Sequence, residues 1–359
     1  MVEYLSGNRI QGSSTLTESP PQTSWKELDR FKLSSADDEI DVSITPKDNI
    51  MILVSAIPSG DIEVGLQLGT GGTIDTGNNY AVRRSNNGAT DAVSPTSGTT
   101  GRSNIDTNLV QTDAFSVMNI ANVSGQEKLV IGNLVNRSTS GAGTSPDRVE
   151  FLGKWSNTNL INKIRIQQTT NGDFAQNSEC VVLGCDNDEA NSGTNFWQQL
   201  AYEPITSSAS EITATIEAKK YLMYEFQALS SGASSGLDNV SFRFNGTGSS
   251  DNDYAYRFSN NYAVDGSPIT NTNMLRFRSG GATAQDFFGY GFILNDSNRE
   301  KLVHSEMMMN GGDGASANPR AASMAGKWAS NDQITEIKLR EEGSGAFLAG
   351  SYLRIWGAD

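Results

Sequence analysis

Two stretches of this chain are near-copies of each other, about 173 residues apart, and that duplication limits the fold more than any other feature. "NNYAVRRSNNGA", from Asn78, returns as "NDYAYRFSNNYA", from Asn252. "EKLV" at Glu127 returns at Glu300, "GKW" at Gly153 returns at Gly326, and the "LGCD" ending at Asp186 answers the "WGAD" ending at Asp359. Trp25 matches Trp197, and Phe174 matches Phe347. The offset stays between 172 and 174, so the copies differ by loop-sized insertions. A period this long is a duplicated domain and not a solenoid repeat. The sequence divides into an N-terminal arm over 1–24, repeat 1 over 25–186, a polar linker over 187–196 and repeat 2 over 197–359.

Inside each copy, apolar residues recur with period 2, the signature of half-buried strands. "EIDVSI" puts Ile40, Val42 and Ile44 on one face, and "EITATI" does the same with Ile212, Ala214 and Ile216. Ile62, Val64, Leu66 and Leu68 are answered by Val240, Phe242 and Phe244. Tyr254, Tyr256 and Phe258 alternate, as do Phe288, Tyr290, Phe292 and Leu294. Each copy opens on a segment that reads as a short helix, "SWKELDRF" or "NFWQQLAY", with Trp followed three residues later by Leu. About eight or nine strands per copy are expected, with no helical pattern long enough for a parallel crossover. The expected fold is all-β: two tandem homologous antiparallel β-sandwich, jelly-roll-like domains preceded by the arm.

Copies of about 160 residues can each bury a core without staples. The formal charge of −14 argues against nucleic acid and against an anionic membrane surface as partners. The chain has no apolar run of membrane-spanning length. Its start, "MVEYLSGNRIQG", does not read as a secretory signal, so synthesis and assembly inside a cell are expected. Cys180 and Cys185, five apart in one strand, lie roughly 16 Å from each other, too far for a disulfide. Both read as reduced core residues.

The chemistry-bearing side chains read mainly as structure. His304 is the one histidine, and Ile131 stands at its position in the first copy, so no catalytic triad is expected. Glu127 and Glu300 lead "EKL" and read as members of Glu–Lys surface pairs where a strand begins, not as a hydrolytic carboxylate dyad. Trp25, Trp155, Trp197 and Trp328 are read as packing anchors, because a duplicated Trp at matched register usually serves the core. Arg83 and Arg257 are read as satisfying carbonyls or carboxylates at a sheet edge. Calcium is the one ion left open, through the oxygen-rich "DNDE" at Asp186 and "SSDNDY" at Ser249. Otherwise no cofactor, no metal and no catalytic residue is expected, and the protein is read as not an enzyme.

Residues 1–24 match neither copy and are too polar to fold alone. Tyr4, Leu5 and Ile10 are the candidate assembly contacts, anchoring this arm on another subunit. The long Ser/Thr/Asn-rich segments after "SNN" in each copy, where the copies diverge, are candidate contact loops.

The blocks "YLSGNRIQG", "GTIDTGNNYA", "EKL", "GKW" and the closing "LGCD" or "WGAD" resemble the repeated β-sandwich structural proteins of marine tailed viruses. The resemblance covers nearly the whole chain and brings no functional residue with it. It implies a surface-exposed virion protein: a fibre, spike or capsid decoration, assembled in the host cytoplasm. The implied partners are further copies of the chain, a trimer being expected, with other virion proteins and a host-surface glycan. Two alternatives stay open: a double jelly-roll major capsid protein, and a carbohydrate-binding adhesin or lectin.

Overall fold

A computed structural model describes residues 25–90, 92–94, 101–109, 112–168, 170, 172–187, 195–229, 239–248, 250–260, 265–266, 268–278, 286–310, 318–343 and 345–359. These form antiparallel sheets, with no helix among the described residues. The strands of the first half begin with β1 Lys26–Lys32, β2 Glu39–Ser43, β3 Asn49–Ala56, β4 Ile62–Thr70, β5 Thr73–Ile74 and β6 Tyr80–Asn86. They continue with β7 Ala92–Ser94, β8 Ser103–Leu109, β9 Ala114–Ala121, β10 Lys128–Asn136, β11 Asp147–Trp155, β12 Lys163–Gln168 and β13 Glu179–Cys185. The second half opens with β14 Gln198–Pro204, β15 Glu211–Thr215, β16 Tyr221–Ala228, β17 Asn239–Phe244, β18 Tyr254–Asn260 and β19 Ile269–Thr272. It closes with β20 Leu275–Arg278, β21 Phe287–Leu294, β22 Lys301–Met309, β23 Arg320–Trp328, β24 Glu336–Glu341 and β25 Tyr352–Ala358.

The chain falls into two compact units. Unit 1 is Met1–Asn86, Thr90–Ser138 and Val149–Gln198; unit 2 is Asn87–Ala89, Thr139–Arg148 and Gln199–Asp359. The β10–β11 connection thus counts with unit 2. One sheet of each unit has eight strands, in the orders β1-β13-β3-β9-β10-β11-β6-β7 and β14-β25-β16-β21-β22-β23-β18-β19. Taken by chain position, the two orders are the same. The facing sheets run β2-β12-β4-β5, with β8 also on β4, and β15-β24-β17-β20.

Alternation explains why these sequences form sandwiches. In unit 1, Ile52 and Val54 of β3 meet Leu66 of β4 and Ile164 and Ile166 of β12 in one core. In unit 2, Tyr224 and Phe226 of β16 meet Phe242 of β17 and Ile337 and Leu339 of β24.

Several motif residues turn out to be clamps that tie strand ends together. Gly184 and Gly357 sit beneath the stems of Lys47 and Lys219, where an added Cβ would come within 2.8 Å of the lysine Cγ. Those lysines reach past the glycine to Asp186, at 2.7 Å, and to Asp359, at 2.9 Å. The buried Asn122 donates to the Lys47 carbonyl and accepts from the Ile161 amide; Asn295 does the same with Lys219 and Ile334. Lys128 is fully buried, its ammonium donating to the carbonyls of Val123, Gln126 and Thr158. Lys301 grips the carbonyls of Asp296, Arg299 and Asn331 in the same way.

Three expectations need correction. The segments around Trp25 and Trp197 are not helical; they lead into edge strands β1 and β14. Their backbone groups pair along β13 and β25, a gain that a single isolated turn of helix lacks. The segments after "SNN" are not plain loops, since they carry β7 and β8 in one half and β19 and β20 in the other. With these short pieces the halves hold 13 and 12 strands among the described residues, more than the eight or nine expected.

Candidate interaction surfaces

The tryptophans lie at matched places. Trp155 is buried, stacked on Tyr80 with centroids 6.3 Å apart, and its indole N–H donates to the Asp75 carboxylate at 2.8 Å. Trp328 is buried and stacked on Tyr254, also at 6.3 Å. Trp197 is buried edge-on to Phe196, whereas Trp25 is only half-buried. Tyr4, Leu5 and Ile10 lie outside the described residues, as does part of each calcium candidate. Asp186 is engaged by Lys47 and by the Asp48 amide. Among the described residues no group of three or more His, Cys, Asp or Glu is gathered to hold a metal. Cys180 and Cys185 are free and buried, and burial pushes the Cys180 thiol up.

The two "EKL" glutamates are not equivalent. Glu127 is a surface partner of Lys154 at 3.2 Å. Glu300 is buried and accepts the Gly141 amide at 2.6 Å. Its neighbour in sequence, Lys301, is also buried, which lowers the ammonium pKa to about 8 against the pull of Asp296 and Asp332. The surface-pair expectation therefore holds for Glu127 and fails for Glu300.

The outer face of the eight-stranded sheet in unit 2 carries two polar-aromatic rows that sequence reading missed. Register places Arg354, Glu225, Tyr290 and Glu306 side by side across β25, β16, β21 and β22. The next row is Tyr352, Gln227, Phe288 and Met308. Phe288, Tyr290 and Met308 are exposed. The Tyr352 hydroxyl donates to Glu225 at 2.8 Å. Burial, and then the Glu225 carboxylate, raise the Tyr352 pKa above the usual phenol range. The Arg354 guanidinium lies 4.4 Å over the Tyr202 ring. Flat exposed rings flanked by a carboxylate, an amide and a guanidinium can stack on an apolar ring face while hydrogen-bonding its polar rim. The rows join strands far apart in sequence. The signal that could have found them is divergence between the copies: Leu53, Val117 and Val181 stand where unit 2 has Glu225, Tyr290 and Arg354.

The other end of that face is closed by the segment Thr139–Arg148, itself part of unit 2. Besides the Gly141–Glu300 bond, Lys327 donates to the Thr139 carbonyl at 2.7 Å and the Asn271 amide donates to Ala142 at 2.9 Å. Arg257 donates to the Pro146 carbonyl at 3.3 Å, a carbonyl partner of the kind the sequence suggested for it. Arg148 and Asp265 form a buried ion pair at 2.5 Å. His304 is buried; burial, and then the nearby Arg148 charge, push its imidazole pKa down to about 3.

No family profile matches this chain, and no curated protein matches it. Among solved structures, the LG4-5 domains of the mouse laminin α1 chain are similar at 8% identity, covering 95% of this chain and 92% of that one, with a TM-score of 0.20. The attachment invasion locus protein Ail of Yersinia pestis is similar at 6% identity, covering 79% and 97%, with a TM-score of 0.14. The translocator domain of the autotransporter NalP from Neisseria meningitidis is similar at 10%, covering 81% and 88%, with a TM-score of 0.13. At these scores the likenesses carry no argument about this chain.

Proposed function

We propose that this chain is a structural protein of a virus particle, exposed at its surface as part of a fibre, spike or capsid decoration, and that it acts by assembly and not by catalysis. The observation that carries the assembly part is an apolar patch on the outer face of unit 1: Leu129, Ile131 and Leu152 are 52–60 % exposed on neighbouring strands β10 and β11. A contiguous exposed apolar patch on a sheet face marks a protein–protein surface. The virion assignment is supported by the sequence resemblance, and further copies of the chain, three being the expected number, are the first partner. Antibody labelling of particles purified from a lysed producing culture tests it: label on the particle surface is expected, and label confined to the soluble fraction overturns the assignment.

A second reading, glycan attachment, is favoured by the Tyr290–Arg354 rows of unit 2. On a glycan array, binding lost in Tyr290→Ala supports it, and no binding by the oligomeric protein removes it.

A further inference from the structure

The seat of the Thr139–Arg148 segment exists twice in this chain, and in unit 1 it is open. Unit 2 builds the seat from Glu300, Lys327 and Arg257; the duplication puts Glu127, Lys154 and Arg83 at the same places in unit 1. In unit 2 this ground is closed: Leu302, His304 and Ala325 are at most 3 % exposed. Their counterparts Leu129, Ile131 and Leu152 form the open patch, rimmed by the exposed Glu127–Lys154 pair and by Arg83.

The occupant is duplicated as well. The seated segment reads "SGAGTSP" from Ser140 to Pro146, and the β22–β23 connection reads "DGASANP" from Asp313 to Pro319. Both keep Gly-Ala and a proline five residues after the glycine. Gly141 has φ 78°, a conformation that favours glycine, and Gly314 stands at its counterpart. Ser145 and Pro146 are buried in their seat, whereas Asn318 and Pro319 are exposed. Asp313, in place of Ser140, adds a carboxylate that suits the exposed Lys154.

We infer that the open seat on unit 1 receives the β22–β23 connection of a second copy of this chain. Each chain then offers one open seat and one such connection. The contact is heterologous, head to tail, and propagates from copy to copy until a ring closes. One element is missing from the second version: Ala321 stands where Arg148 makes its buried ion pair. The junction between copies therefore lacks that anchor and relies on the more apolar floor that Ile131 and Leu152 provide in place of His304 and Ala325. This inference rests on the assembly reading only in requiring that the chain self-associates.

The test uses the full chain in sedimentation velocity across a dilution series. The wild type should form a discrete oligomer. Ile131→Glu, at an exposed position that folding does not need, should weaken self-association at least about 100-fold by placing an unpaired charge in the contact. A second variant with residues 312–317 replaced by a Gly-Ser run of equal length should be monomeric too. Mixing the two variants leaves one intact seat and one intact connection, so a one-to-one heterodimer that grows no further is expected. Variants that both stay oligomeric overturn the docking inference alone, as do variants that stay monomeric on mixing. A wild type that is monomeric at every concentration overturns the assembly reading with it. Circular dichroism matching the wild type shows that each variant is folded.

Discussion

The outer faces of the two eight-stranded sheets, built on one strand order, have been put to opposite uses. In unit 1 the central row is Val181, Leu53 and Val117 across β13, β3 and β9, and all three are buried. In unit 2 the same row is Arg354, Glu225 and Tyr290, with Tyr290 exposed. At the other end the roles reverse: Ile131 is exposed in unit 1 and its counterpart His304 is buried in unit 2. The inner faces have not diverged in this way, since both keep a Tyr–Trp stack, a buried asparagine and a buried lysine clamp. A strand's two faces are separable because alternate side chains point to opposite sides. Selection on the core therefore holds one set of residues and leaves the other free to become an interface.

The largest expected effect tests the shared part. Trp155→Ala and Trp328→Ala should each cost about 3–5 kcal/mol in denaturant unfolding, as deletion of a large buried aromatic does. Trp155→Ala should fall at the upper end, because it also removes the indole hydrogen bond to Asp75. A cost below about 1 kcal/mol in either unit would break the claim that the inner faces are equivalent.

The next effect separates the outer faces. Leu53→Ala, at a fully buried site, should cost about 2–5 kcal/mol. Glu225→Ala, at the matching site of unit 2, should cost under about 1 kcal/mol, since it removes a half-exposed polar contact with Tyr352. Equal losses in the two variants would mean that the unit 2 face is closed as tightly as that of unit 1.

The sequence carried the strands plainly and most of their faces, because alternation and the duplicated motifs both leave local marks. On β21 the alternation of Phe288, Tyr290, Phe292 and Leu294 pointed to the wrong side, since Phe287 and Ile293 fill the core there and Phe288 and Tyr290 are exposed. Val240, Phe242 and Phe244 read as one buried face, and so they are. It carried the roles of its polar motifs poorly. Lys128 and Lys301 look like surface lysines, since burial of the Lys128 ammonium depends on two carbonyls of the turn before it and a third, Thr158, brought in from the β11–β12 connection. Glu127 and Glu300 look interchangeable in "EKL", and only the Gly141 amide, 159 residues away in the chain, makes Glu300 a docking acceptor. The edge strands at Trp25 and Trp197 read as helical because Trp and Leu three apart fit a helical face and not strand alternation, and in β1 an irregularity between Glu27 and Asp29 breaks that alternation at Leu28. The Tyr290–Arg354 rows as a whole have no local mark, being assembled by register among β16, the β21–β22 hairpin and β25.

The smallest effect sharpens the reversed end of the comparison. His304 has an ordinary pKa near 6.5 when unfolded, and burial, with Arg148 nearby, takes it to about 3 in the folded chain. Between those values the unfolded state holds a proton that the folded state does not, so stability falls as pH falls. The contribution is fully present above pH 6.5 and is lost progressively toward pH 3. The slope cannot exceed about 1.4 kcal/mol per pH unit for a single proton. Most carboxylates titrate below about 4.5, so the window from pH 6.5 to 4.5 reads mainly this histidine. Unit 1 has Ile131 in the matching place and should show no such term. Urea unfolding at pH 7 and pH 5 should therefore show a loss of roughly 1–2 kcal/mol in the wild type. His304→Ile, which copies the residue of unit 1, should abolish most of that loss. If the variant keeps the full pH dependence, the buried end of the unit 2 sheet admits the proton. The Thr139–Arg148 seat is then looser than its hydrogen bonds imply.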